Sequence, residues 1–270
     1  MACDILNLGE CVAEAVFGFF LDILNLASRP FLDLIKKFMT EPASITAFVD
    51  IWGIIVYILS MFYGLLLVWI GLKFIISGES PEEREKAKSD LKSIIIMMVL
   101  VQGSYHLYNL FLAVSASLTN VVFDMISSNF FRLSLESTPN FGFDLIFGIL
   151  YILHLLIVLV LVLLRYIFVS AGVILFAIGI FFYFIPFLNS YGRLILNGLG
   201  VLVFLPFFYS IAFLVGSKIA ELSQFRTMKT LIMVGTLDII ILFTLLLLLF
   251  VVVKAATKVK PIVNAVKAVV

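Results

Sequence analysis

Long apolar runs broken by short polar stretches pattern this chain. The sharpest break is Gly78–Lys92, GESPEEREKAKSDLK, with nine charged side chains in fifteen residues. Apolar runs flank it, Ile51–Ser77 before and Ser93–Val114 after. Gly78 suits a helix C-cap, and Ser80, Pro81 and Glu83 read as N-cap, N1 and N3 of a capping box. The pattern over 47–120 predicts a membrane helix, a turn, a short charged helix and a second membrane helix, with 78–92 as the charged loop.

Upstream, residues 1–46 read differently. Between 10 and 40 the apolar residues are mixed with Glu10, Glu14, Asp22, Arg29, Asp33, Lys36 and Lys37, and Pro30 divides them. Val12, Val16, Phe19, Phe20, Ile23 and Leu24 recur at helical spacing, as do Leu34, Ile35 and Phe38. That spacing predicts an amphipathic helix lying in the membrane interface. The alternative, a first span over Val12–Leu26, places Glu14 and Asp22 in hydrocarbon at high cost.

The first span, about 47–77, carries Gly53, Ser60, Gly64, Gly71 and Gly78 within about 20° of one line at helical periodicity. A stripe of small residues predicts close packing of another helix. Trp69 suits the interfacial belt, and Lys73 can reach towards the charged loop. In the second span, about 91–120, Gln102, His106, Asn109 and Asn120 share one face. Such groups seek partners away from lipid, so the face is expected to point into the bundle or a wet cavity. It serves either as hydrogen bonds between helices or as part of a polar path.

Residues 121–141 form a connector whose Phe and Met content suggests a short interfacial helix. From 142 to 253 a further bundle is expected. Phe141–Phe187 is too long for one span and reads as two, with a turn at Arg165 ahead of Ser170, Ala171 and Gly172. His154 and Arg165 fall on one face. A span over about 194–215 is expected to kink at Pro206. The last covers about 231–253 and contains Asp238, an intramembrane acid and so a functional candidate that completes the possible polar path with His154. The tail, 254–270, carries Lys254, Lys258, Lys260 and Lys267 and is interrupted by Pro261.

Composition confirms the class. The chain is 63% hydrophobic and 13% charged, with 28 Phe and a mean hydropathy of +1.22. Several runs exceed the roughly 20 residues that cross a bilayer. The expected fold is an all-α polytopic bundle of five to six spans with an interfacial N-terminal helix; a barrel would show short alternating strands instead. A net charge of +1 offers no basic groove for nucleic acid. The start, MACDILNLGECVAEA, lacks a signal peptide's basic end and cleavage site, so the first span is expected to act as its own signal. Cys3 and Cys11 stand on different faces of a straight helix. Either a loop at Gly9 closes them into a disulfide, or they are two inert boundary thiols.

Arg84, Lys86, Lys88 and Lys92 place the charged loop in the cytoplasm by the positive-inside rule. The N-terminal region and the connector then lie outside. Six spans would carry the lysine-rich tail outside; five spans, with Phe168–Pro186 as a re-entrant hairpin, return it inside. No HExxH, GxSxG, Walker motif or metal-ligand cluster is present, so no enzyme, metal or cofactor is expected. No internal repeat of the transporter kind is visible.

The 47–120 hairpin, with its Gly-containing end, Ser-Pro-Glu-Glu-Arg, Ala-Lys and following apolar helix, resembles the archaeal TrbL-like and CedA-like polytopic subunits of type IV secretion, conjugation and DNA-import machines. RYIFVSAGVILFAIGIFFYFIPF resembles the family's middle, and the likeness extends over about 47–216. It implies a non-catalytic platform subunit of the cell membrane that forms a homo-oligomeric ring. The implied partners are a small pilin-like membrane protein and a cytoplasmic secretion-type ATPase, with DNA as cargo. On that resemblance, Arg84, Lys86, Lys88 and Lys92 become either a docking surface for the ATPase or a solvated turn that only retains topology. The competing expectation is a channel or transporter for a small solute or ion, using the Gln102, His106 and Asn109 face with Asp238.

Overall fold

A computed structural model describes residues 8–76, 80–133 and 141–269, and side chains among them outside 8–14, 141–145, 226–227, 255–256 and 258–269. The helices are α1 (Leu8–Thr40), α2 (Val49–Ile76), α3 (Pro81–Gln102), α4 (Ser104–Phe123), α5 (Phe141–Phe184), α6 (Asn189–Glu221) and α7 (Lys229–Val269). No strand occurs among the described residues. Six helical stretches are long and apolar enough to cross a membrane: Ala15–Thr40, Thr46–Ile76, Ser104–Phe123, Ile146–Phe184, Asn189–Glu221 and Lys229–Lys254. The protein is an all-α polytopic membrane protein.

The chain forms two units. The first comprises Met1–Glu41, Ala116–Leu164 and Leu205–Val270. In its core, Leu21, Ile35 and Met39 of α1 meet Phe130 and Leu133 of the connector, Tyr151, Leu155 and Val158 of α5, Phe213 of α6 and Met233 and Leu237 of α7. The buried stripe of α1 (Leu21, Ser28, Ile35, Met39) runs through Pro30 without a break. The proline was expected to divide this region; continuous packing of one face outweighs the single lost hydrogen bond. The opposite face leaves Phe19, Phe20, Ile23 and Leu26 outward.

Contacts along α1 fix how it lies in this unit. The Asn25 amide brackets the backbone of Leu133, donating to its carbonyl at 3.0 Å and accepting from its N–H at 2.9 Å. Lys36 Nζ stands 5.5 Å from the Phe123 ring centroid, and Asn120 Nδ2 donates to the Thr40 carbonyl at 3.0 Å. Fifteen residues of α1, about 22 Å of helix, thus follow the end of α4 and its connector.

Among its described residues the connector is not the short helix expected. After Phe123 it runs in turns to Leu133. Phe130 and Leu133 are buried, Phe131 packs edge-on against Phe213 and stacks on Phe123, and Met125 stays outward.

The second unit comprises Pro42–Ser115 and Arg165–Phe204. Val56, Leu59 and Ile70 of α2 pack with Ile94, Met97 and Val101 of α3, Tyr108 and Leu112 of α4, Val169, Val173 and Ala177 of α5, and Leu199 and Val203 of α6. The charged helix and the start of the second span are one helix, α3, with no turn between them. The break falls instead at Gly103 (φ −84°, ψ 0°), where a Cβ would stand 3.3 Å from the Val99 carbonyl oxygen. Ser80 is the N-cap and Pro81 follows as expected, but the Ser80 hydroxyl makes no capping bond. Its carbonyl accepts from Arg84 N–H at 3.1 Å.

The largest departure is α5. Phe141–Phe184 is one helix of 44 residues, about 66 Å and roughly twice the hydrocarbon thickness. There is no turn at Arg165 and no re-entrant hairpin. Ser170, Ala171 and Gly172 are small for packing: a Cβ on Gly172 would collide with the Tyr108 hydroxyl and stand 2.8 Å from Leu199 Cδ2. The turn comes at 185–188, beside Pro186. There Gly192 lets α6 close on α5, since a Cβ would strike the backbone nitrogen of Tyr183 and lie 2.6 Å from its Cα. Helix α7 likewise continues through Pro261, which was expected to interrupt it, to Val269.

Candidate functional site

The most elaborate polar construction is buried in the second unit. Arg165, 6% exposed, donates from Nε to the Leu202 carbonyl and from Nη2 to the Val203 carbonyl, both at 2.9 Å. Ser115 Oγ donates to the same Val203 carbonyl at 2.7 Å. The reason lies four residues on. Pro206 sits inside α6 and has no N–H to give the Leu202 carbonyl. An orphan carbonyl in a membrane helix is costly, and the arginine fork supplies its donor. Tyr108 adds a second such bond, from its hydroxyl to the Val169 carbonyl at 2.7 Å. Sequence reading made Arg165 a turn and Pro206 a kink; what it did not connect was the carbonyl that Pro206 orphans with the arginine that serves it.

The expected polar path is not assembled. Gln102, His106 and Asn109 are exposed on the outer face of α3–α4, not turned into the unit as expected. Among the described residues none hydrogen-bonds to them; His106 touches only the edge of the Tyr105 ring, with centroids 5.6 Å apart. Among the described residues nothing packs on the glycines of the α2 stripe either. Nothing lies within 4 Å of a Cβ built on Gly53, Gly64 or Gly71, and Ser60 Oγ bonds the Val56 carbonyl of its own helix at 2.6 Å. Gly78 and Cys3 lie outside the described residues, as does the Cys11 side chain, so the possible disulfide does too.

His154 and Asp238 do meet, in the first unit. His154 Nε2 stands 2.8 Å from Asp238 Oδ1, and its Nδ1 stands 2.6 Å from the Leu150 carbonyl oxygen. A carbonyl only accepts, so the ring is the donor in the Nδ1 contact, and Nε2 is left facing the carboxylate. Asp238 is 57% exposed.

The charged end of α3 presents Arg84, Lys86, Lys88 and Lys92 to solvent, with Ala87 buried beneath. Arg84, Lys88 and Lys92 follow one face at four-residue spacing. Lys73 reaches back as expected, and its partner is Asp90, at 2.8 Å.

One open cavity of about 740 Å³ occupies the first unit, lined among others by Asp22, Asn25, Arg132, Glu221 and Lys229. Its polar groups largely bond each other. Lys229 Nζ donates to the carbonyls of Asn129 and Arg132 at 2.6 and 2.7 Å, Ser217 Oγ accepts from Ser127 N–H at 3.2 Å, and Glu221 pairs with Lys218 at 3.0 Å. They hold the connector in place. The lining comes from four separate segments, and no motif announces it.

Residues 43–102 match the family described as type IV secretion system pilin. The match spans under a quarter of the chain and coincides with α2, α3 and the charged end between them. No curated protein matches the chain, and no solved structure does. The match supports a component of a type IV secretion system.

Proposed function

We propose that this chain is a non-catalytic membrane subunit of a type IV secretion-like machine that transfers or imports DNA. It is of the archaeal TrbL-like and CedA-like kind and works as an oligomeric platform or conduit in the cell membrane. The observation that carries this reading is a hairpin similar to a secretion pilin within a chain that has several further apolar helices. A free pilin needs only the hairpin; additional spans suit a fixed membrane part that a pilin meets. ATP hydrolysis falls to a cytoplasmic secretion-type ATPase, which docks on the basic face of Arg84, Lys88 and Lys92 with Lys86 beside it. DNA passes without sequence-specific contacts.

Sidedness follows from the same reading. With α1 in the interface, five crossings remain: α2, α3–α4, α5, α6 and α7. Odd parity returns the lysine-rich tail to the side of loop 78–92, so both basic segments are cytoplasmic and the positive-inside rule is met. The single helix α5 supports this, since Phe141–Phe187 then needs no second span.

The test is DNA transfer in cells lacking the chain, complemented by the wild type or by a variant carrying Arg84→Glu, Lys86→Glu and Lys88→Glu. Deletion is expected to abolish transfer. The variant is expected to stay in the membrane without restoring it. Transfer that survives deletion would sink the reading. The His154–Asp238 pair favours a second one, a proton-linked transporter of a small solute. A purified monomer that moves protons or ions in liposomes, and loses the flux on Asp238→Asn, would decide for it.

A further inference from the structure

Gln102, His106 and Asn109 sit in the wrong solvent. His106 is fourteen residues from Lys92 and fourteen from Asn120, roughly 21 Å of helix either way, which puts it at the middle of the uncharged run 93–119 that this reading sets across the bilayer. Gln102 and Asn109 lie within about 6 Å of it along the axis. Lipid tails cannot hydrogen-bond, so side-chain amides and an imidazole at this depth require protein or water. No described residue of the chain itself bonds to them, and all three face outwards.

We propose that this face of α3–α4 docks a second copy of the same chain, about a two-fold axis parallel to the bilayer normal. Three observations select that occupant. The polar residues are interleaved with exposed aliphatics on the same side, Ile95 at 52%, Val99 at 67% and Leu110 at 57%; that mixture packs against a helix, whereas a water-filled lumen wants a polar lining. Each of the three side chains is both donor and acceptor, so the surface is complementary to itself. No acid or base of fixed charge falls on this stretch between Lys92 and Asn120, so two copies approach without repulsion. An axis along the normal keeps every residue at the depth of its counterpart, so Asn109 meets Asn109 and Val99 meets Val99, the isologous arrangement. The pair is the unit from which a larger assembly grows through other faces. This inference rests on the part of the proposed function that has copies of the chain associate. It is independent of what they transport.

The test uses the full chain in its own membrane, with Cys3→Ser and Cys11→Ser removing the native thiols. Single cysteines are introduced as Val99→Cys, Asn109→Cys and, on the outward face of α2, Val68→Cys. Copper-phenanthroline is the oxidant. Disulfide-linked dimers are expected for Val99→Cys and Asn109→Cys and not for Val68→Cys, with both reactive positions closed to a charged, water-soluble thiol reagent. Ready labelling by that reagent would mean a wet lumen and overturn the proposal. So would a cross-link to a smaller protein, which would place a pilin-like partner there. Native gels separate the two claims. Oligomers without these cross-links overturn the interface and leave the oligomeric reading standing; monomers alone overturn both. As a second arm, Gln102→Leu, His106→Leu and Asn109→Leu together should keep the wild-type unfolding transition and lower the dimer fraction at least tenfold. An unchanged dimer fraction would also overturn the proposal.

Discussion

Arg165 and His106 stand on apolar helices of the same unit, and the chain treats them in opposite ways. Arg165 is buried, and its guanidinium finds two backbone carbonyls in α6. His106, with Gln102 and Asn109, is outward and bonds to nothing described. The buried group is the more strongly polar of the two, yet it is the one the chain itself satisfies. Polar residues in a membrane helix therefore divide into those that hold the chain's own helices together and those left for something outside it. Mutation should separate the two classes by stability alone, measured as unfolding of the purified chain in detergent.

The largest loss belongs to Arg165→Leu. It strips the fork from two buried carbonyls: that of Leu202, which Pro206 has already orphaned, and that of Val203, which keeps Ser115. Hydrogen bonds from a charged group are worth about 1.5–3 kcal/mol each, so the variant is expected to lose about 3 kcal/mol or more. Arg165→Lys should recover part of that, because an ammonium reaches one carbonyl well but cannot span both as the planar fork does. A variant as stable as the wild type would mean that the proline kink needs no external donor, and the contrast would dissolve.

Gly192→Ala comes next. A Cβ at this position meets the backbone of Tyr183 and Phe182, and backbone cannot rotate away as a side chain does. Separating the corner between α5 and α6 is expected to cost about 2–3 kcal/mol, at the upper end for overpacking. Ser115→Ala should cost about 1 kcal/mol, since Arg165 still serves the Val203 carbonyl. The two side chains share that acceptor, so a double-mutant cycle of Ser115→Ala with Arg165→Leu should be non-additive.

Much of the architecture was legible in advance, and the failures share a cause. Apolar runs such as 51–77 announce helices because few other structures satisfy a backbone in lipid. The mixed faces of α1 were legible, one buried and one outward, as was Lys73 turning towards the charged loop. Helix ends were harder. The division of Phe141–Phe187 assumed that a helix stops where the bilayer does, and α5 does not. The connector was misread because Phe130 and Leu133 serve a core that only tertiary packing reveals. Arg165 was misplaced because its partners are carbonyls 37 and 38 residues away, and a carbonyl leaves no mark on a side-chain motif. The pilin-like hairpin was the most legible functional element, because its charged end combines N-cap, proline and alternating charge in one short stretch.

The smallest effect sharpens the contrast most. Asn109→Leu removes a polar group that the chain does not bond and adds apolar surface facing lipid or detergent. No buried partner is orphaned, no cavity opens, and the helix gains a better former. The unfolding transition of the detergent-solubilised monomer should therefore move by less than about 0.5 kcal/mol, as for ordinary surface positions. Gln102→Leu should behave the same way, and the two should add, because neither shares a partner with the other inside one copy. In the native membrane their effects should diverge from this baseline only as far as association depends on them. A loss of a kilocalorie or more in the monomer would show that the chain itself uses these side chains, and the outward polar face would then belong with Arg165.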